Sequence, residues 1–146
     1  MNSILHDETT FYPAFIKDLY NIKHEIIIES PFITTERMKL FRPIFKEVID
    51  KGIKIFIITR DSKEHEGKYK YQSEAEISYF EQIGVQALLC TGNHHRKLAI
   101  IDRRILWEGS LNILSQTKSR EIMRKIDEDK VAMEMFDFLK LETVIK

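Results

Sequence analysis

Short runs of β-branched and aliphatic residues alternate with segments of helical periodicity, and this constrains the fold most. Ile26-Ile27-Ile28 lies between Glu25 and Glu29 and is stopped by Ser30-Pro31, while Ile55-Phe56-Ile57-Ile58 lies between Lys54 and Thr59. Runs this short and this uniformly apolar read as strands buried on both faces. Between and around them the spacing predicts helices over about 10–22, after Thr9-Thr10 and with Pro13 in the first turn, and over 34–51, ended by Gly52, with Pro43 a point of kinking or restart. A capping box at Ser73-Glu74-Ala75-Glu76 opens a helix to Ile83, and Asp129 to Leu141 is amphipathic. The polar stretch Arg60 to Tyr71 reads as a long loop. Further strands are expected at Val85–Thr91, Arg96–Ile101, Arg104–Glu108 and Glu121–Ile126. The expected class is therefore α/β, with a mixed, mainly parallel sheet flanked by helices on both faces. Residues 1–146 read as one domain.

Composition narrows the function classes. The 146 residues carry 23 Lys plus Arg against 23 Asp plus Glu, so the protein is neither a uniformly basic coat nor a low-hydrophobicity disordered chain. Apolar runs are too short to cross a membrane, and the first residues lack the basic-then-apolar order of a signal peptide, so a cytoplasmic location is expected. Cys90 is the one cysteine, which allows no internal disulfide and no Cys-pair metal site. It reads as a small buried hydrophobe. No metal and no cofactor are expected.

The chemistry is concentrated between Asn93 and Lys125. Strand alternation places His95 and Lys97 on one face, with Arg96, Leu98, Ile100 and Asp102 on the other. An imidazole beside an ammonium suits a phosphoryl group, the first as nucleophile or base and the second as compensation for oxygen charge. Asp102, out of phase and at a strand end, is better placed to fix a turn or backbone amides. Gly109 allows close backbone approach to a ligand, and Ser110 and Asn112 are neutral donors for phosphate oxygens. Six specified residues at these spacings match a given start with a chance on the order of 10⁻⁸.

His95-x-Lys97, four residues, Asp102, six residues, Gly109-Ser110-x-Asn112 resembles the motif of the phospholipase D superfamily, whose members cleave or transfer phosphodiesters. Glu29-Ser30-Pro31-Phe32 and Ser119-Arg120-Glu121 also resemble that family's sheet. The resemblance implies an α-β-α sandwich and a metal-independent catalytic set of His95, Lys97, Asp102 and Glu121. His95 would form a phosphohistidine; Lys97, Ser110 and Asn112 would bind phosphate; Glu121 would orient His95 through its other ring nitrogen. His94 does not fit the spacing and is expected at the surface. Only one motif is present where a complete internal site needs two, so a homodimer sharing its site across a twofold axis is expected.

From Asn93 to Lys125 there are eight basic and three acidic residues, against 15 and 20 elsewhere. A positive site face suits a polyanion, with DNA the expected partner and Arg103, Arg104, Lys118, Arg120 and Arg124 the expected contacts. Tyr69 and Tyr71 are candidates to stack on bases, or anchors of their loop. Nothing resembles the apolar entrance of a lipid-surface enzyme, so no membrane partner is expected. The segments around Trp107 and Arg120 are also similar to phospholipase D-like domains at the C-terminal end of bacterial helicase-like proteins. Two alternatives therefore stand beside a DNA endonuclease: a DNA-binding module of a helicase-like protein with little or no catalysis, and a lipid phosphodiesterase or transphosphatidylase.

Overall fold

A computed structural model describes residues 2–145. The elements, in chain order, are β1 (Asn2–Asp7), α1 (Phe11–Leu19), β2 (Glu25–Glu29), α2 (Thr35–Asp50), β3 (Lys54–Arg60), α3 (Lys68–Ile83), β4 (Gln86–Cys90), β5 (Leu98–Ile101), β6 (Ile105–Gly109), β7 (Ile122–Asp127) and α4 (Asp129–Phe138), with 3-10 turns at Ser62–Glu64 and Leu141–Thr143. The seven strands form one sheet in the order β1-β7-β6-β5-β2-β3-β4. Only β2-β3 and β3-β4 pair in parallel, and the other four pairs are antiparallel. Five strands nevertheless point the same way, with β5 and β7 reversed. The sheet is mixed, and its parallel pairing is confined to one half.

Alternation along each central strand explains the apolar runs. Ile26, Ile28, Ile55, Ile57, Ala99 and Trp107 pack beneath α1, α2 and α3. Ile27, Phe56, Ile58, Leu98, Ile100 and Leu106 face the other way, against Ala132 and Phe136 of α4. Helices therefore cover both faces. Trp107 is fully buried, packs edge-on to Phe11 and Phe15, and donates its indole N–H to Asp18 Oδ2 at 3.0 Å, so its polar atom is satisfied. Among the described residues no helix is long and apolar enough to cross a membrane.

Three local expectations are corrected. Strand β1 had no counterpart in the periodicity because it is an edge strand with Ile4 and Leu5 exposed, and its partner lies some 120 residues away. The loop expected over Arg60 to Tyr71 is partly helical, since α3 starts at Lys68 behind Gly67 at φ 59°. Its first turn has no aliphatic residue and is held instead by Tyr69 against Phe32 and by Gln72, which accepts the Thr35 N–H at 2.7 Å. Ser73 and Glu76 thus lie inside the helix, with Glu76 buried and paired to Arg42 rather than capping. At α1 the cap likewise moves: Thr10 makes no side-chain cap, and Asp7 accepts the Thr9 and Thr10 N–H groups. Pro43 sits inside an uninterrupted α2.

Candidate active site

The β5-β6 hairpin sorts the motif into two ends. His95 and Lys97 lie just before β5 and Gly109 closes β6, so all three share one edge of the sheet. Asp102, Arg103 and Arg104 form the hairpin turn at the opposite end, roughly 13 Å away along four strand residues. The Asp102 carboxylate accepts backbone N–H bonds from Lys23 (2.9 Å), His24 (2.8 Å) and Glu25 (3.0 Å). Asp102 thus ties the turn to the start of β2, the structural job its phase suggested, and lies at the other end of the strands from His95 and Lys97. Asp102 and Arg103 both take φ 53°, a left-handed pair closed by the Arg104 N–H to Ile101 O at 2.9 Å.

The same sorting sets two of the expected DNA contacts, Arg103 and Arg104, apart from the motif. Arg103 pairs with Glu25 at 3.1 Å and lies over the Phe136 ring, and Arg104 stands 3.9 Å from Asp127, both away from His95. Arg124 lines the cleft that holds His95 and donates to Ser3 at 2.6 Å. Arg120 borders the depression next to it, and Lys118 lies further along the same exposed loop, beside Tyr69 and Gln72. Tyr69 is an anchor on Phe32, whereas Tyr71 is 72% exposed.

His95, Arg96 and Lys97 line a cleft of about 640 Å³ together with Glu108, Gly109, Ile122 and Arg124. Its remaining wall is apolar, made by Leu5 of β1, Met135 and Phe138 of α4, and Leu139. His95 is exposed, and Lys97 Nζ donates to the His95 carbonyl at 2.8 Å, which holds ammonium and imidazole on one stretch of backbone. Ile122 is shared with a neighbouring depression formed by Ser110, Arg120, Glu121, Asp7 and Glu8. The Ser110 hydroxyl beside it, then that of Ser119, and the charge of Lys97 hold the Glu121 carboxyl below the usual carboxylate range. Lys97, Ser110 and Glu121 are thus brought together. No hydrogen bond joins Glu121 to the His95 ring among the described residues; Glu121 instead accepts from Ser119 at 2.7 Å and donates its N–H to Glu8 at 2.8 Å.

Gly109 has a different reason from the one expected. A Cβ there would overlap the Ile122 carbonyl and lie 2.9 Å from Met123 Cα, so the close approach of β7 requires glycine. That approach lets the Ser110 N–H donate to Ile122 O at 2.9 Å while its hydroxyl accepts from the Ile122 N–H at 3.0 Å. Asn112 is half-buried, and its side-chain Oδ1 has no hydrogen-bond partner among the described residues. Cys90 is half-buried on edge strand β4, and burial, followed by the nearby Glu29 charge, pushes its thiol up.

Residues missed in the sequence adjoin the motif. His94 is not a surface group: its side chain is 10% exposed and its Nε2 lies 3.2 Å from Glu29 Oε2. Glu29 is 1% exposed and also accepts from Arg96 Nε at 3.1 Å. A charged residue closing an apolar strand was a visible signal for Glu29. The apolar wall had none, because Leu5, Ile122 and Phe138 come from three separate elements.

The profile of the family described as "Cardiolipin synthase, PLD-like domain" matches residues 15–140. No curated protein matches the sequence significantly. Among solved structures, NucT from Helicobacter pylori is similar over 95% of this chain and 93% of its own, with a TM-score of 0.73 and 20% identity. Nuc from Salmonella typhimurium, a phospholipase D family member, covers the same shares with a TM-score of 0.71 and 17% identity. TrmBL2, an archaeal chromatin protein described by its DNA binding, matches 97% of this chain and 52% of its own, with a TM-score of 0.63 and 12% identity. With the family profile spanning most of the chain and the His95-x-Lys97 and Gly109-Ser110 elements meeting at one sheet edge, the protein belongs to the phospholipase D-like domain family.

Proposed function

We propose that residues 1–146 act as one unit, a metal-independent phosphodiesterase that cleaves DNA through a phosphohistidine in a site shared by two copies. The observation that carries this reading is His95 and Lys97 side by side on a cleft edged by Arg96 and Arg124, with Ser110 and Glu121 next to it. A nitrogen of the His95 ring attacks phosphorus, the bond to one ester oxygen breaks, and that oxygen takes a proton from a second imidazole. Lys97 offsets charge on the non-bridging oxygens, and Glu121 balances Lys97. Water, giving one proton back to that second imidazole, then attacks phosphorus and displaces the His95 nitrogen, which frees the phosphomonoester. One chain offers one such imidazole, so the proton donor is the His95 of a second copy related by a twofold axis. The DNA binding in the description of TrmBL2, and the likeness to Nuc and NucT, support a nucleic-acid substrate over others.

The test is incubation with plasmid and single-stranded DNA in excess chelator, beside His95→Ala. Cleavage that His95→Ala abolishes supports the mechanism, and strict dependence on added divalent metal refutes it. Binding without turnover would mean the DNA-holding module instead. Mixing active protein with excess His95→Ala under subunit exchange should lower activity faster than dilution; a monomer with full specific activity sinks the shared site. A second reading has one observation in its favour: the apolar wall of Leu5, Met135, Phe138 and Leu139 beside His95 suits a diester with an acyl tail. Competition of DNA against phospholipid vesicles separates the two substrates.

A further inference from the structure

Glu29 is the last residue of β2, a central strand of the sheet, and is 1% exposed. A buried carboxylate is costly unless donors compensate it. Its two side-chain donors both come from the segment that carries His95: His94 Nε2 at 3.2 Å and Arg96 Nε at 3.1 Å, both on Oε2. Among the described residues its other oxygen is buried with no partner, so both of its side-chain bonds go to that segment. The segment it grips, residues 91–97, has no regular structure and passes through two positive φ angles, Gly92 at 88° and Asn93 at 59°. Its start is also held by the Gly92 N–H to Glu64 Oε2 at 2.7 Å, and its end by the Gly109 N–H to Lys97 O at 3.3 Å.

We propose that Glu29 is a positioning residue, a carboxylate that grips the residue on each side of His95 and so turns the His95 imidazole outward into the cleft. From His94 to Lys97 no φ is positive, and the two residues that reach Glu29 are alternate ones, 94 and 96. With His94 and the Arg96 Nε held on Glu29, His95 and Lys97 face the cleft, whose rim the outer part of the Arg96 guanidinium also lines. The adjacent histidines make this control necessary: a slip of one residue presents His94 in the cleft and turns His95 inward. Glu29 fixes the phase from both sides and thereby selects which of two neighbouring imidazoles meets phosphorus. The guanidinium of Arg96, still 52% exposed on its side chain, keeps its charge at the cleft rim while its Nε holds the clamp.

This inference rests on His95 being the nucleophile, and the experiment separates the two. Steady-state kinetics on bis(p-nitrophenyl) phosphate and on a single-stranded oligodeoxynucleotide would compare Glu29→Gln, His94→Ala, His94→Gln and His95→Ala. Glu29→Gln should lower kcat by about 10–100-fold while KM stays within about twofold, the mark of misplacement of a reacting group rather than lost binding. His94→Ala should lose about tenfold, and His94→Gln, whose amide still donates toward Glu29, should recover most of it. The double variant Glu29→Gln/His94→Ala should be no worse than Glu29→Gln alone. Wild-type kcat in Glu29→Gln, or a loss that only follows its folded fraction, overturns the clamp. Should Glu29→Gln not fold, equal kcat in His94→Ala and His94→Gln overturns it. Turnover surviving in His95→Ala would instead refute the nucleophile and with it the proposed function.

Discussion

Asp102→Ala separates a structural aspartate from a catalytic one. The change removes the acceptor of three backbone N–H groups, on Lys23, His24 and Glu25. The bonds to Lys23 and His24 are exposed, so water replaces them and each is worth about 0.5–1.5 kcal/mol; the part-buried bond to Glu25, charge-assisted, is worth about 1.5–3 kcal/mol. Alanine at φ 53° adds about 1 kcal/mol, because its Cβ crowds the following carbonyl while aspartate and asparagine tolerate that region better. The sum is about 3.5–7 kcal/mol, a large fraction of the ~5–15 kcal/mol that holds a domain together. Asp102→Asn keeps an oxygen acceptor and the turn conformation, so it should cost about half as much. Urea unfolding at fixed pH measures both, and turnover per folded molecule is read on the same samples. The expected result is a large fall in midpoint with near-normal turnover in the molecules that remain folded. An Asp102→Ala protein that is stable to within about 1 kcal/mol yet inactive would refute the reasoning and return Asp102 to the chemistry.

Gly109→Ala drives a Cβ into the Ile122 carbonyl, so β6 and β7 must separate; a loss of about 2–3 kcal/mol in urea unfolding is expected, and an unchanged midpoint would contradict the packing. The Glu121 carboxyl is depressed in the folded state, so its stabilisation is fully present above its unfolded value near 4.5 and is lost as pH falls through the folded value. The stability difference between wild type and Glu121→Gln should therefore be constant above about pH 4.5 and shrink as pH falls below it; a difference that grows on acidification would mean that the folded state favours the protonated acid. For DNA, Arg120→Ala and Arg124→Ala should each lower the slope of log affinity against log salt by about 0.7–0.9, while Arg103→Ala and Arg104→Ala leave it unchanged. An effect confined to Arg103 and Arg104 would put the DNA on the far edge of the sheet.

The α/β class and the phospholipase D-like motif were legible in the sequence alone. Strands β2, β3 and β5 announced themselves because both faces are buried, so every position must be apolar whichever way it points. The spacing from His95 to Asn112 was legible because it is a hairpin, a local structure in which chain distance sets spatial distance. What the sequence left open depends on groups far apart in the chain. Strand β1 gains its place only by pairing with β7, and the first turn of α3 only by packing Tyr69 on Phe32. Arg103 and Arg104 look like site charges in a linear count, yet the length of β5 carries them to the opposite end of the sheet. Gly109 reads as room for a ligand until β7 fills that room. The Glu29 clamp on His94 and Arg96 spans 65 and 67 residues, and only the sheet order, with β5 beside β2, brings that buried carboxylate to the segment that carries His95.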